Sequence, residues 1–213
     1  MKALAHRRRA SLAMTALVAV PLAAGLAACG QNGGGGGGPA PDVSVRDASA
    51  APRPERATAV APMPRSMPTG LRIPSAGVDA RDMLRLGLDA DRELQVPPVG
   101  QADEPGWWTG SPTPGQRGAA VVVAHYDTAR GPALMRNIAE VHTGDTIEVP
   151  REDGRTATFE VREIQQVNKK DFPTHKVYAQ TDRPTLRLVT CGGPVVGGHR
   201  SDNIILYADL VHH

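Results

Sequence analysis

The stretch that decides the fold reads Thr185-Leu186-Arg187-Leu188-Val189-Thr190-Cys191-Gly192-Gly193. Leucines alternate with other side chains along it, and valine and threonine favour strands, so the pattern predicts a half-buried β-strand. Pro184 stands at its start, where a missing N–H is tolerated, and the glycine pair is expected to end it. Cys191 is therefore predicted at the end of a strand, where a side chain is both rigidly held and reachable from solvent.

Further strand patterns occur between residues 70 and 213. The continuous apolar run over residues 118–125 predicts a strand buried on both faces. Residues 152–155 have the composition of a hairpin turn, and residues 204–211 predict the last strand. Residues 130–140 form the best helix candidate. Seven or eight short strands with one or two short helices predict a mainly β fold, an antiparallel or mixed barrel.

The first 29 residues have the pattern of a secretory signal. Lys2 and residues 7–9 form a basic run, an uncharged apolar stretch covers residues 12–28, and small residues precede Cys29. This end resembles the lipobox of bacterial lipoproteins, so Cys29 is predicted to be lipidated. An uncleaved membrane anchor is the alternative, because the apolar stretch is long enough to span a bilayer. Either interpretation predicts a protein at the extracellular face of the cell membrane.

Residues 30–69 contain six consecutive glycines and seven prolines with few large apolar side chains. Such a composition cannot offset the entropy of ordering the chain, so this segment is predicted to be a disordered tether. Residues 70–213 are then the globular domain, since they are enough for one hydrophobic core.

Charge and metal-ligand spacing exclude two classes of function. The formal net charge is only +2, and no basic stripe interleaved with aromatic residues is present, so no nucleic-acid partner is expected. No set of Cys and His residues has the spacing of a zinc site, and neither a metal nor another cofactor is predicted.

Cys191 is predicted to lie outside the cell, and its only possible disulfide partner, Cys29, is predicted to carry lipid. Cys191 is then either a reactive thiol or an inert buried side chain. A reactive thiol needs a neighbouring base or cation that favours the thiolate. His125 is the best candidate base because it follows a buried strand as Cys191 does, and His199 is its competitor. Arg200 is the only Arg or Lys between Cys191 and the C-terminus. Taken alone, His125 would be interpreted as a structural histidine at a strand end, and the alternative for Arg200 is an ordinary solvated loop arginine.

Several segments together resemble the sortase family, and within it the class F sortases of actinobacteria. They are the lead-in and glycine pair around Cys191 (188–193), the end of the apolar run (121–128) and the last strand (202–208). Shorter matches extend the resemblance over about residues 71–211. The sequence departs from the family pattern at Ala124, where glycine usually precedes the histidine, and at Arg187, where threonine is usual.

The resemblance implies an eight-stranded β-barrel with a Cys-His-Arg site. Cys191 would attack the carbonyl after the threonine of an LPXTG-like sorting signal near the C-terminus of a secreted protein. An amine from a peptidoglycan cross-bridge or a pilin lysine would resolve the thioacyl-enzyme. His125 would move the protons, Arg200 would hold the carbonyl or oxyanion, and Thr190 and Gly192 would contact the substrate.

Two other interpretations stay open from the sequence. A cysteine peptidase or other cysteine-dependent hydrolase shares the thioacyl step and differs only in the acceptor. A lipid-tethered, non-catalytic barrel that binds a partner would keep the fold without the reaction.

Overall fold

The computed structural model describes residues 60–213 and confirms a mainly β fold with little helix. One α-helix, α1, spans Thr174–Tyr178 in this part of the chain. The strands described there are β1 Leu71–Ile73, β2 Val78–Ala80, β3 Leu84–Leu86, β4 Gly106–Trp108, β5 Gly118–Val123, β6 Asp127–Thr128, β7 Gly131–Pro132, β8 Thr146–Pro150, β9 Thr156–Asn168, β10 Pro184–Val196 and β11 His199–His212.

Nine of the strands described between residues 60 and 213 form one sheet, in the order β2-β1-β8-β9-β11-β10-β5-β4-β3. The three long strands β9, β11 and β10 are antiparallel neighbours at its centre. β5 pairs with β10 in parallel, so the end of β5 reaches the part of β10 that carries Cys191. The predicted turn at residues 152–155 is confirmed, because β8 and β9 form a hairpin around it.

β10 is buried on both faces rather than on one. Leu186 and Leu188 belong to the main hydrophobic core, and Val189 belongs to a second cluster with Phe172 and Val177. The residues around α1 thus cover the face that the alternating sequence pattern assigned to solvent. Arg187 tolerates this burial because its guanidinium lies 5.0 Å from the centre of the Tyr207 ring, where a cation–π contact forms.

The prediction of a helix over residues 130–140 is wrong. That segment contains β7, which pairs with β6, and a single 3-10 turn, Ile138–Glu140. Its backbone donors are used elsewhere: the amides of Ala133 and Met135 bond the carbonyls of Tyr126 and His125, each at 2.9 Å. These contacts tie the segment to the end of β5, and they replace the local bonds that a helix requires.

Residues 60–69, the last part of the predicted tether, pack against the sheet. Met63 is buried, and its amide bonds the Gly115 carbonyl at 2.8 Å. The buried guanidinium of Arg151 contacts Met63 Sδ and donates to the Pro64 carbonyl at 2.6 Å. The predicted signal, Cys29 and the rest of the tether lie outside the described residues. Within residues 60–213, no helix combines the length and apolar character needed to cross a membrane.

Candidate active site

Cys191 lies inside β10 and is buried, which differs from the solvent-exposed strand end that the sequence predicts. Its side chain is 6% exposed and packs against the main core. The strand continues past the glycine pair to Val196, and the register against β11 shifts between Gly192 and Val195. The glycines therefore produce an irregularity in the hairpin instead of ending the strand.

The structure records Cys191 as disulfide-bonded. A thiolate is the form of cysteine that attacks carbonyl groups. The nucleophilic chemistry considered below therefore belongs to the reduced chain.

His125 approaches Cys191 through the parallel pairing of β5 with β10. Val123 pairs with Val189, and the Ala124 amide bonds the Val189 carbonyl at 3.1 Å. Neighbouring strands lie about 4.8 Å apart, so continuing this register by two residues sets His125 beside Cys191. The pairing thus brings two of the predicted site residues together although 66 residues separate them (191 − 125 = 66).

The hydrogen bonding of His125 assigns its tautomer. The ring is 4% exposed, and its Nε2 lies 2.6 Å from the Pro97 carbonyl oxygen. A carbonyl oxygen only accepts hydrogen bonds, so this contact assigns a proton to Nε2. This contact does not involve the other ring nitrogen, Nδ1. Pro97 was not singled out in the sequence, because no local pattern relates it to a residue 28 positions away.

His199, the competing histidine, lies at the tip of the β10–β11 hairpin. It pairs with Val196, and both residues are exposed. Five positions of β10 separate Val196 from Cys191, whereas the register of β5, continued two residues beyond its end, sets His125 beside Cys191. The fold therefore favours His125 as the base.

Arg200 is almost completely buried and joins the end of β5 to β10. Its Nε and Nη2 donate to Asp127 Oδ2 at 3.0 and 2.8 Å, and its Nη1 donates to the Gly193 carbonyl at 2.8 Å. The guanidinium carbon also lies 4.7 Å from the centre of the Tyr126 ring. The guanidinium thus holds the backbone just after Cys191 and the segment just after His125 in one arrangement.

Asp127 is a site residue that the sequence analysis missed. The signal that could have identified it is its position two residues after His125. A buried arginine needs a carboxylate partner, and Asp127 supplies one next to the candidate site. The local charges also affect Tyr126: burial raises the pKa of its hydroxyl, Arg200 acts in the opposite direction, and Asp127 raises it further. Burial also lowers the pKa of Lys169, whereas Asp127 and Asp202 raise it.

Thr190 and Gly192, the predicted substrate contacts, flank Cys191 in β10 and are both buried. The Thr190 hydroxyl has no hydrogen-bond partner. A Cβ added at Gly192 would lie 2.6 Å from Cδ1 of Ile204, so only glycine fits there without displacing that side chain. The structure thus gives Gly192 a packing role next to the candidate nucleophile.

A second buried polar group lies next to Cys191 and was also missed. Asn203 is directly opposite Cys191 on β11, is 2% exposed, and its Nδ2 has no hydrogen-bond partner. In the part of the chain that the structure covers, no group of three or more His, Cys, Asp or Glu side chains is arranged to hold a metal ion.

Comparison with known proteins identifies relatives of this domain. A family model described as Sortase domain matches residues 71–211. A search of curated proteins gave no match.

Among solved structures, the chain resembles a lid mutant of sortase A from Corynebacterium diphtheriae (TM-score 0.52, 22% identity, 71% of this chain and 73% of that chain). It also resembles the sortase D5 transpeptidase of Clostridium perfringens (0.50, 22%, 67% and 78%). A third similar structure is sortase C1 of Streptococcus agalactiae in complex with MTSET (0.52, 16%, 70% and 71%). At these identities the structural likeness shows the fold alone.

Proposed function

We propose that this chain, which belongs to the sortase family, cleaves a C-terminal sorting signal after threonine and transfers the new carboxyl end to an amine. The observation that carries the proposal is the convergence of three strands at one place. β5 brings His125 beside Cys191, and β11 brings Arg200 against the carbonyl of Gly193, two residues after Cys191. Cysteine, histidine and arginine at one site can perform acyl transfer through a thioester.

The reaction begins with the reduced chain. The Cys191 thiol gives its proton to His125, and the thiolate attacks the carbonyl carbon after the threonine. The carbon–nitrogen bond then breaks, and the leaving amine takes the proton from His125. The acceptor amine attacks the thioester, its proton passes to His125, and Cys191 leaves and is protonated again. One difficult displacement is divided into two easier ones.

Arg200 supports this chemistry by position and by charge. Three hydrogen bonds to Asp127 and Gly193 engage its guanidinium, which has five N–H donors. The remaining donors are the ones that would hold the carbonyl of the sorting signal. The bonds already formed prevent the side chain from moving, so the donors are oriented before the substrate binds.

The proposal extends to the biological setting. We assign the chain to the class F sortases on the motifs around Cys191, His125 and the last strand. Its substrates would be secreted proteins with an LPXTG-like sorting signal, and the acceptor a peptidoglycan cross-bridge amine or a pilin lysine. The predicted lipid at Cys29, or an uncleaved anchor, would hold the domain at the extracellular face of the cell membrane.

The test uses the full chain carrying Cys29→Ala, in which Cys191 is the only cysteine. The protein is incubated with a fluorescent Leu-Pro-Xaa-Thr-Gly peptide series, with and without triglycine, and its mass is measured. We expect a thioacyl adduct on Cys191 and a triglycine-ligated product. The matched variant Cys29→Ala/Cys191→Ala should give neither.

Each alternative predicts a different result. A hydrolase would form the adduct and release only the free acid, whatever the triglycine concentration. A non-catalytic binding barrel would bind a peptide without forming an adduct. Turnover that survives Cys191→Ala would overturn the proposal.

A further inference from the structure

The amide of Asn203 is a buried donor for which the fold provides no acceptor. Its Nδ2 is fully inaccessible to solvent and makes no hydrogen bond. Leaving such a group unsatisfied is unfavourable, and a well-packed apolar residue in its place would avoid that penalty. Unsatisfied buried polar groups of this kind call for an explanation, and a functional role is one of the recognised ones.

The register of the β10–β11 hairpin places this donor beside the sulfur. Cys191 and Asn203 are directly opposite in the antiparallel ladder, so their side chains project from the same face of the sheet. Cβ atoms of such pairs lie about 5 Å apart. A carbonyl carbon bonded to Cys191 Sγ would therefore bring its oxygen within reach of the Asn203 amide.

The other polar side chains near Cys191 leave this role open to Asn203. Three of the five N–H donors of Arg200 already bond Asp127 and Gly193, and the proposed function assigns the remaining ones to the same carbonyl, so Asn203 would add a neutral donor beside the charged one. Thr190 pairs with Ile204, so its hydroxyl projects from the opposite face of the pleat. Of the buried polar side chains described here, Asn203 is the one that faces Cys191 with an unused donor.

We propose that Asn203 Nδ2 donates a hydrogen bond to the substrate carbonyl oxygen as Cys191 attacks, and so forms part of the oxyanion site. This inference rests on the proposed function. When the sulfur–carbon bond forms, the electron pair of the carbonyl moves onto oxygen, and the preorganised amide stabilises that charge. When the pair returns, the bond to the leaving group breaks and the thioester forms.

Two reagents that react with the Cys191 thiolate distinguish donation by Asn203 to the oxyanion from a purely structural role of Asn203. p-Nitrophenyl acetate acylates the thiolate through a tetrahedral oxyanion and releases p-nitrophenolate. Methyl methanethiosulfonate reacts with the same thiolate by exchange at sulfur and forms no oxyanion. Both rates are measured in full-length Cys29→Ala protein and in the same protein with Asn203→Leu or Asn203→Asp. Asn137→Leu, at an exposed amide that bonds the Ala76 carbonyl at 3.3 Å, is the matched control.

Asn203→Leu should lower the acylation rate about 100-fold, because removing one oxyanion donor typically costs that much. Thiosulfonate labelling should change less than about threefold, because it requires no oxyanion site. Asn137→Leu should leave both rates unchanged. Asn203→Asp keeps the shape of the side chain but has only acceptors at neutral pH, so it should slow acylation at least as much.

The inference is overturned if acylation and thiosulfonate labelling fall together, or if acylation is unaffected in a folded Asn203 variant. It is also overturned if the folded Cys29→Ala protein, with Asn203 unchanged, is acylated no faster than the same protein in urea. Should Asn203→Leu fail to fold, Asn203→Asp decides the result. A parent that acylates normally but turns over no sorting peptide would contradict the proposed function and leave the role of Asn203 measurable.

Discussion

At the scale of single residues, His125 and Arg200 are held by partners far away along the chain, whereas Thr190 and Asn203 each keep one unsatisfied polar atom. His125 bonds the Pro97 carbonyl, and Arg200 bonds Asp127 across 73 residues of chain. Buried charges without partners are strongly unfavourable, so each of these contacts restricts where its side chain can lie. The chemistry therefore depends on residues that do not themselves react, Asp127 and Pro97 among them.

The first prediction compares the two candidate histidines. His125→Ala should lower kcat/KM for the sorting peptide by about 10²–10⁴-fold, because that is the usual contribution of a positioned acid–base group. His199→Ala, at the exposed hairpin tip, should change kcat/KM less than about threefold. Steady-state kinetics of the two variants provide the measurement. The reverse result, a large loss for His199→Ala alone, would transfer the role to His199.

The second prediction concerns the partner of Arg200. Asp127→Asn should destabilise the protein by about 3 kcal/mol, because it leaves a buried guanidinium without its carboxylate. The control is Asp79→Asn, which removes a half-exposed carboxylate 3.1 Å from Arg72 Nε and should cost under about 1 kcal/mol. Urea denaturation of both variants measures the difference. Equal free energies of unfolding would show that Arg200 does not depend on Asp127.

At the scale of elements, the β10–β11 hairpin aligns the candidate nucleophile with the residues around it. The pairing is regular from Thr185 to Gly192 and then shifts, so that Arg200 pairs with Val195. Gly192, just before the shift, lets the Ile204 side chain approach the β10 backbone. A side chain at residue 192 would push the strands apart beside Cys191.

The third prediction tests this close approach. Gly192→Ala should cost about 1–3 kcal/mol, because its Cβ would lie 2.6 and 2.7 Å from two Ile204 carbons. Adding Ile204→Val removes one of these carbons and should recover part of the loss, which a double-mutant cycle detects. Gly100→Ala is the control, since a Cβ there meets no atom within 4 Å. Additive effects of the two substitutions would contradict the prediction.

At the scale of the whole molecule, residues 60–69, which precede β1, pack against the sheet. Residues 60–69 lie between the β8–β9 hairpin and the loop after residue 113, and Arg151 connects all three. Its Nη1 donates to the Pro114 carbonyl at 2.9 Å, and its Nη2 donates to Pro64 and to Asp153 at 3.2 Å. Burial lowers the pKa of Arg151, and Asp153 counteracts this effect.

The fourth prediction is that Arg151 holds this segment in place. Arg151→Leu should lower the free energy of unfolding by about 3 kcal/mol, because the carboxylate and two carbonyls lose their donor. Amide exchange of residues 60–69, followed by mass spectrometry, should become faster. Arg85→Leu is the control: Arg85 makes an exposed ion pair with Glu152 at 3.4 Å and should have little effect. Unchanged exchange in Arg151→Leu would show that the other contacts of the segment, such as the bond from the Met63 amide to the Gly115 carbonyl, hold it without Arg151.

The strands were the most predictable part of the fold. The apolar run at 118–125 and the alternation around Leu186 encode β5 and β10 locally, because strand propensity and side-chain period depend on neighbouring residues. The segment 130–140 was not predictable in this way. Its leucine and methionine spacing favours a helix, but Gly131-Pro132 and the backbone of His125 and Tyr126 decide its conformation.

For the site, the sequence by itself determined which residue types are present and near which strands they lie: a cysteine on one strand, a histidine after a buried strand and an arginine close to the start of the last strand. Only the tertiary structure decided that Asn203 faces Cys191, that Asp127 holds Arg200 and that α1 covers the second face of β10. The reason is physical. Register and loop closure join segments far apart in the chain, and a shift of one residue would exchange every side chain between the two faces of the sheet.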